Sequence, residues 1–272
     1  MQFGMPTLIE LKSIESCVAV CHELGLDFVE LNMNLPEYQT DKLHDAQLLE
    51  IADKYYIYYT IHLDENLNPC DFNNKVAAAY TETVLQTIDA AKQLSVPVLN
   101  MHLHSGVWFT LPDKKVFLFD EYEQEYIRKL TVFRDDCAAA VGDANIKICI
   151  ENCGDYGDKP YLNKGLALLL ESPVFALTFD VGHNAAAGYV DESTIMEHIE
   201  SLYHMHIHDA TALLERVIAD ARVEGFEAVE GYVHIWKGRD DFDFKWPARL
   251  YEKLGFVPFV EHDGVVVMRK TL

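Results

Sequence analysis

The chain has 272 residues, half of them hydrophobic and 24% charged, enough for one α/β barrel or two modest domains with a proper core. Acidic residues outnumber basic ones 44 to 22, a formal net charge of −22, which disfavours nucleic acid and anionic membrane surfaces as partners. No basic run exceeds two residues, Lys114-Lys115 being one of that length, and no stretch approaches the ~20 apolar residues of a membrane span. The first residues lack a signal pattern, so the expected location is cytoplasmic, and the six cysteines, with no CxxC pair, are expected to be reduced.

In chain order, an apolar start (Met1 to Leu8) precedes Ser13, a plausible N-cap for a helix ending near Gly25. Phe28 to Asn32 reads as a strand with Glu30 and Asn32 at its polar end, followed by a helix from about Asp41 to Lys54. Tyr56 to Ile61 is aromatic and β-branched, a strand that runs into His62, Asp64 and Glu65. Asn73 or Asn74 caps a long amphipathic helix to about Leu94. The strand Val98 to Met101 runs into His102 and His104, and then a long loop carries Trp108, Phe109 and Pro112. Loops of that length are commonly lids. A helix of about twenty residues from Glu121 leads to the strand Ile146 to Ile150, which ends in Glu151 and Asn152. A polar loop (Gly154 to Pro160) and a short helix (Leu166 to Leu170) come before Val174 to Phe179, which ends in Asp180 and His183. Asp191 is expected to cap a helix to about Ser201, and the next strand, from Leu202, carries His204, His206, His208 and Asp209.

Seven strand-like segments alternating with helices predict a parallel sheet, and their spacing suits a (β/α)8 TIM barrel. The polar residues fall at the strands' C-terminal ends, which converge on the face where such barrels carry their active sites. Taken singly, each has a plain alternative. A strand-end histidine is more often a hydrogen-bonded structural residue, and a carboxylate there can cap the next helix. Together, His62, His102 or His104, Glu151, Asp180, His183 and His206 would be unfavourable without a cation. Imidazole plus carboxylate suits Zn²⁺, Mn²⁺, Co²⁺ or Fe²⁺. Cys149 and Cys153 flank Glu151; sensing of oxidants or soft metals is open to them, but small buried packing residues is the simpler reading.

Ile150-Glu151-Asn152, Phe179-Asp180-Val181-Gly182-His183 and His206-Ile207-His208-Asp209 resemble the strand 5, 6 and 7 motifs of the xylose-isomerase-like TIM-barrel superfamily. That superfamily includes sugar isomerases and epimerases, inositol-catabolism enzymes and the endonuclease IV type. The resemblance implies a divalent metal (Mn, Zn, Co or Mg) held by Glu151, Asp180, His206 and a last-strand glutamate. Glu261 falls at that last position, and Glu151 with Glu261 would serve as acid and base. Substrate contacts are expected from His62, His183, His208 and Trp108. His62, His102, His104, His183 and His234 resemble, in part, the histidines of the endonuclease's multi-zinc site. His104-Ser105-Gly106 looks like the family's His-Pro-Gly turn, whereas His102 has the better strand-end position.

Past Asp209 the pattern changes. The segment 210–272 has a helix over Ala210 to Gly225, then Tyr251-Glu252-Lys253-Leu254-Gly255-Phe256 before a terminal hairpin, which resembles the C-terminal part of a GNAT-type N-acetyltransferase. The glycine-rich turn that would cradle a pyrophosphate before that helix is missing, so acetyl transfer is not expected. The same segment also reads as the barrel's end: His234, Gly238 and Asp243-Phe244 keep the family's spacing, although Tyr232 stands where the endonuclease has an Asp. The expected organisation is thus 1–209 as βα units 1 to 7, with 210–272 completing the barrel or forming a GNAT-like appendage. The expected function is a metal-dependent isomerase or epimerase of a sugar, keto-sugar or polyol, as a monomer or homo-oligomer. Alternatives are an endonuclease-IV-like zinc phosphodiesterase and a non-catalytic metal- or sugar-binding barrel.

Overall fold

In the computed structural model, residues 2–43, 46–157, 159–207, 210–234, 246–262 and 265–272 are described. The chain divides into two compact units, Met1–Met205 and His206–Leu272. The first begins with β1 (Gly4–Pro6), α1 (Ile14–Glu23), β2 (Phe28–Asn32), α2 (Ala46–Tyr55), β3 (Tyr58–His62), α3 (Asn74–Leu94) and β4 (Val98–His102). A hairpin of β5 (Trp108–Thr110) and β6 (Lys115–Phe117) follows, then α4 (Leu118–Glu121), α5 (Glu123–Val141), β7 (Lys147–Glu151), α6 (Pro160–Leu170) and β8 (Phe175–Asp180). After α7 (Val181–Ala186) and α8 (Glu192–Glu197) comes β9 (Leu202–His206). No helix among the described residues is long and apolar enough to cross a membrane.

The seven barrel strands form one curled parallel sheet in the order β1-β2-β3-β4-β7-β8-β9, an α/β barrel whose sheet, as described, is not closed. Period-two alternation sorts each strand into an outer and an inner row. Leu99 and Met101, Ile148 and Ile150, and Phe175 and Leu177 join the main apolar core with α1, α3, α5 and α6. The inner rows are small or polar. Val98, Cys149 and Ala176 make a separate small cluster, and the buried Glu30, Thr60, Asn100, Glu151, Thr178 and Asp180 sit at the alternate positions of their strands. A helix-facing row supplies the hydrophobic stabilisation, which leaves the inner row available for chemistry.

Local sequence explains the element boundaries. Ser13 Oγ accepts from the Ser16 amide and Asn73 Oδ1 from the Lys75 amide, each satisfying an orphan donor of the helix it caps. Several expectations need correcting. Tyr56 takes a positive φ of 56°, so the third strand starts at Tyr58 rather than Tyr56. The presumed irregular lid after His102 is folded into the antiparallel β5–β6 hairpin, where β-branched and aromatic residues pair. Pro160 at the first helical turn starts α6 earlier than Leu166, since its missing N–H costs nothing there. Asp191 stands at the start of α8 but makes no capping bond to that helix, which is short and gives way to a 3-10 turn over Ile199–Ser201.

The second unit holds α9 (Ala210–Val223), β10 (Ala228–His234), α10 (Trp246–Lys253), β11 (Val257–His262) and β12 (Val265–Thr271). Its strands form an antiparallel sheet in the order β10-β12-β11. Leu214 and Ile218 of α9, Tyr251 of α10 and Leu254 just after it pack with Val229, Phe256, Val266 and Met268. The unit therefore has a small core of its own.

Candidate metal centre and active site

His62, His102, Glu151, Asp180 and His206 are the last residues of β3, β4, β7, β8 and β9. Parallel pairing holds the strand ends together: His62 lies opposite Asn100, His102 opposite Glu151, and Glu151 opposite Thr178. Glu151, only 2% exposed, is the hub. Its Oε2 lies 3.3 Å from His62 Nε2 and 3.5 Å from His102 Nε2, and its Oε1 lies 3.3 Å from His183 Nδ1. Asn100 donates to the same Oε2 and accepts from the Thr178 hydroxyl, so a fully buried amide on the inner row fixes the carboxylate's orientation.

A second set of bonds locks β7 to β8. Asn152 accepts from the Asp180 amide (2.7 Å) and donates to the Asp180 carbonyl (3.1 Å). Asp180 Oδ1 accepts from the His183 amide and so caps α7, which places the His183 ring beside both carboxylates. The plain capping role and the expected ligand position thus fall on the same aspartate. Further into the barrel, Glu30 Oε2 is 3.6 Å from His204 Nε2 and accepts from Thr60 Oγ1.

The electrostatics follow from this crowding. The hydrogen bond to Glu151, aided by the charges of Asp180 and Glu151 and opposed by burial, raises the His183 pKa from 6.5 to about 9. For His62, burial alone would lower the pKa, but the bond to Glu151 and the charges of Glu30 and Glu151 win and raise it. His104 goes the other way, lowered chiefly by burial. Its Nδ1 accepts from the Gly106 amide (2.9 Å), holding a turn rather than facing Glu151. Of the two strand-4 histidines, His102 is the one that meets the cluster.

The side chains fit a divalent cation. Glu151, Asp180 and His183 each offer a ligand atom within 4.8 Å of the others, as do His62, His102 and Glu151. His102 Nε2 is a buried ring nitrogen with no hydrogen-bond partner among the described residues, the kind of atom a cation would satisfy. His206 closes β9 half-buried, at the first residue of the second unit. Glu261 is exposed on β11, and His234 ends β10, both in the second unit. His208 lies outside the described residues, as do Asp209, Gly238, Asp243, Phe244 and the Asp263-Gly264 turn. Trp108 is half-exposed on the β5–β6 hairpin, packed against Phe117 with Lys115 over its ring.

The match to a family model settles the family. Residues 18–262 match the family described as "Xylose isomerase-like TIM barrel". The chain belongs to that family. No curated protein matches it significantly. Among solved structures, it is similar to a D-tagatose 3-epimerase-like protein (21% identity, 84% of this chain and 88% of that one, TM-score 0.60). It is also similar to a 3-keto-D-glucoside 4-epimerase from E. coli (13% identity, 93% and 98%, TM-score 0.61). A third is a D-allulose 3-epimerase from Methylomonas sp. solved with D-allulose (15% identity, 78% and 73%, TM-score 0.58). At these identities the likeness is one of fold.

The sequence reading missed Asn100, Thr178 and the buried Asp191. Asn100 carried a signal, since it stands two residues before His102 on the same inner row. Asp191 carried none. Its carboxylate accepts from the amides of Gly154 (2.6 Å) and Tyr156 (2.8 Å), thirty-five or more residues away, a pairing no local pattern reveals. The cysteine reading is corrected in part: Cys149 is buried on the inner row, but Cys153 is exposed.

Proposed function

We propose that this family member is a divalent-metal-dependent isomerase or epimerase that moves a proton on a sugar, keto-sugar or related polyol. The observation that carries this reading is Glu151, a buried carboxylate that meets three imidazoles at the strand ends of a barrel. The similar structures of a D-tagatose 3-epimerase-like protein, a D-allulose 3-epimerase and a 3-keto-D-glucoside 4-epimerase support the substrate class. Glu151, Asp180, His206 and Glu261 are proposed to hold the ion (Mn²⁺, Zn²⁺, Co²⁺ or Mg²⁺), with His206 and Glu261 resting on the motif resemblance alone. A bound divalent ion would polarise the C–H between two substrate oxygens.

Glu151 takes the proton from the substrate carbon, and its oxygens are already oriented for this by Asn100. Glu261 returns a proton to the opposite face. His62 and His183, flanking the Glu151 carboxylate, hold hydroxyls, and His208 and Trp108 complete the proposed substrate contacts. Glu151→Gln keeps the shape and removes the base, so turnover on a panel of ketohexoses should vanish and metal content should fall. Wild-type activity in that variant would end the assignment.

The grouping of His62 and His102 on one Glu151 oxygen favours a second reading, an endonuclease-IV-like phosphodiesterase with clustered zinc. The net charge of −22 opposes it. Hydrolysis of a phosphodiester with no activity on any sugar would decide for it, and DNA binding would then weaken steeply with salt.

A further inference from the structure

Cys153 lies beside the cluster just described and has no part in the proposed proton transfer. One ligand atom each from His102, Cys153 and His183 lies within 4.8 Å of the others. The set is two imidazoles and a thiol, a donor combination suited to zinc-class ions and unsuited to Mg²⁺, which demands oxygen ligands. The other five cysteines are buried, whereas Cys153 keeps solvent access on one side, while burial of its sulfur and the nearby Glu151 and Asp155 carboxylates push its thiol pKa up. Its Sγ donates a weak hydrogen bond to the Glu151 carbonyl at 3.7 Å.

The backbone on both sides of Cys153 is pinned. Asn152 is clamped to the Asp180 backbone by two hydrogen bonds. Gly154 donates to the fully buried Asp191 carboxylate, which also takes the Tyr156 amide. Gly154 has a φ of +82°, and a Cβ there would stand 2.5 Å from the Ala187 Cβ, so only glycine lets the loop pass this close to the end of α7. A thiol on a loop so held is pre-organised toward His102 and His183, as ligand positions need to be. His102 Nε2 in the same group is buried and makes no hydrogen bond among the described residues, its nearest polar contact being Glu151 Oε2 at 3.5 Å, a second sign that a ligand atom is available there.

We propose that Cys153 is a metal ligand, completing with His102 and His183 a site for a zinc-class divalent ion at the strand-end cluster. Binding forms the sulfur–metal bond and releases the thiol proton to solvent, with no change in oxidation state. The inference rests on the reading that the strand-end cluster holds a divalent ion, and the test separates the two.

Cobalt(II) serves as probe, because a thiolate ligand adds a near-ultraviolet sulfur-to-cobalt charge-transfer band that nitrogen and oxygen ligands do not produce. The metal-stripped full chain is titrated with Co²⁺, alongside Cys153→Ser checked for fold by circular dichroism. The expected result is the band in the wild type and its loss in Cys153→Ser. Visible cobalt bands without the charge-transfer band would overturn the thiolate site and leave the metal-enzyme reading standing. A charge-transfer band that survives in Cys153→Ser would overturn it too, and no cobalt binding at all would overturn both. Should Cys153→Ser not fold, the wild type alone suffices: alkylation of Cys153 by iodoacetamide, followed by peptide mass spectrometry, should slow by on the order of tenfold or more when Zn²⁺ is added, because the metal-bound thiolate is no longer free. An unchanged rate refutes the proposal.

Discussion

Removing Asp191 tests the claim that a buried carboxylate far from the strand ends shapes the loop behind Glu151. Asp191 is fully buried and accepts from two amides, Gly154 at 2.6 Å and Tyr156 at 2.8 Å. Hydrogen bonds to a charged acceptor contribute roughly 1.5–3 kcal/mol each. Even at the lower figure, Asp191→Ala should weaken closure of this loop by about 3 kcal/mol, which is roughly 100-fold in its opening equilibrium. Because the chain has two units, a global melt would mix their transitions. Hydrogen exchange read on the peptide covering 152–157 reports the loop itself. Protection there should drop by roughly 100-fold in Asp191→Ala and by less in Asp191→Asn, which keeps one acceptor oxygen but turns an amide group toward the other N–H. Protection unchanged in Asp191→Ala would mean that the two bonds do not hold the loop, and the pre-organisation argument for Cys153 would lose its basis.

The metal-stripped protein should show a His183 ring titrating near 9 by NMR, moving down toward 6.5 in Glu151→Gln, since the bond to Glu151 is the largest cause of the shift. The sign is that of a raised pKa: the stabilisation from His183 is complete below its unfolded value near 6.5 and fades as pH rises through about 9, so chelated protein should lose stability across that window, read as hydrogen-exchange protection of first-unit peptides corrected for the intrinsic rate. Asn100→Ala removes the amide that orients Glu151 and should lower kcat on the best sugar substrate by roughly 10–100-fold, as loss of groups supporting a ligand does, with a smaller effect on KM. His104→Ala should leave metal content at the wild-type level while His102→Ala lowers it, because only His102 faces Glu151; equal loss in both would undo that distinction.

The barrel was legible because its information is local. The βα units announce themselves by a short apolar strand followed by a helical stretch, and the strands Tyr58–His62, Val98–His102, Lys147–Glu151 and Phe175–Asp180 each end on a residue singled out from sequence alone. What local pattern could not give was orientation across strands. His102 and His104 are equally polar and two residues apart, and only the register of β4 against β7, which sets His102 opposite Glu151, separates them. Asn100 and Thr178 read as ordinary strand residues until the inner row brings them to Glu151. Cys153 looked like its neighbour Cys149 by composition, yet one is on the inner row of a strand and the other on a pinned loop. In each case the missing term is a contact between residues distant in sequence.

Glu261 is where the family expectation and the fold meet least easily, and it decides how the second unit contributes. The expectation calls for a glutamate at the end of a parallel barrel strand. Glu261 instead sits exposed on β11, paired antiparallel with Val266 of β12, in a unit with its own small core. Yet the family match runs through residue 262 and so includes it. If Glu261 is a ligand, Glu261→Ala should bind less metal than wild type by elemental analysis and lose turnover, because one of the four proposed ligands is gone and with it the second proton carrier. If metal content stays at about one equivalent per chain, the donors of the first unit suffice, since Glu151, Asp180 and His183 already place ligand atoms within 4.8 Å. The acid opposite Glu151 would then have to come from the first unit as well.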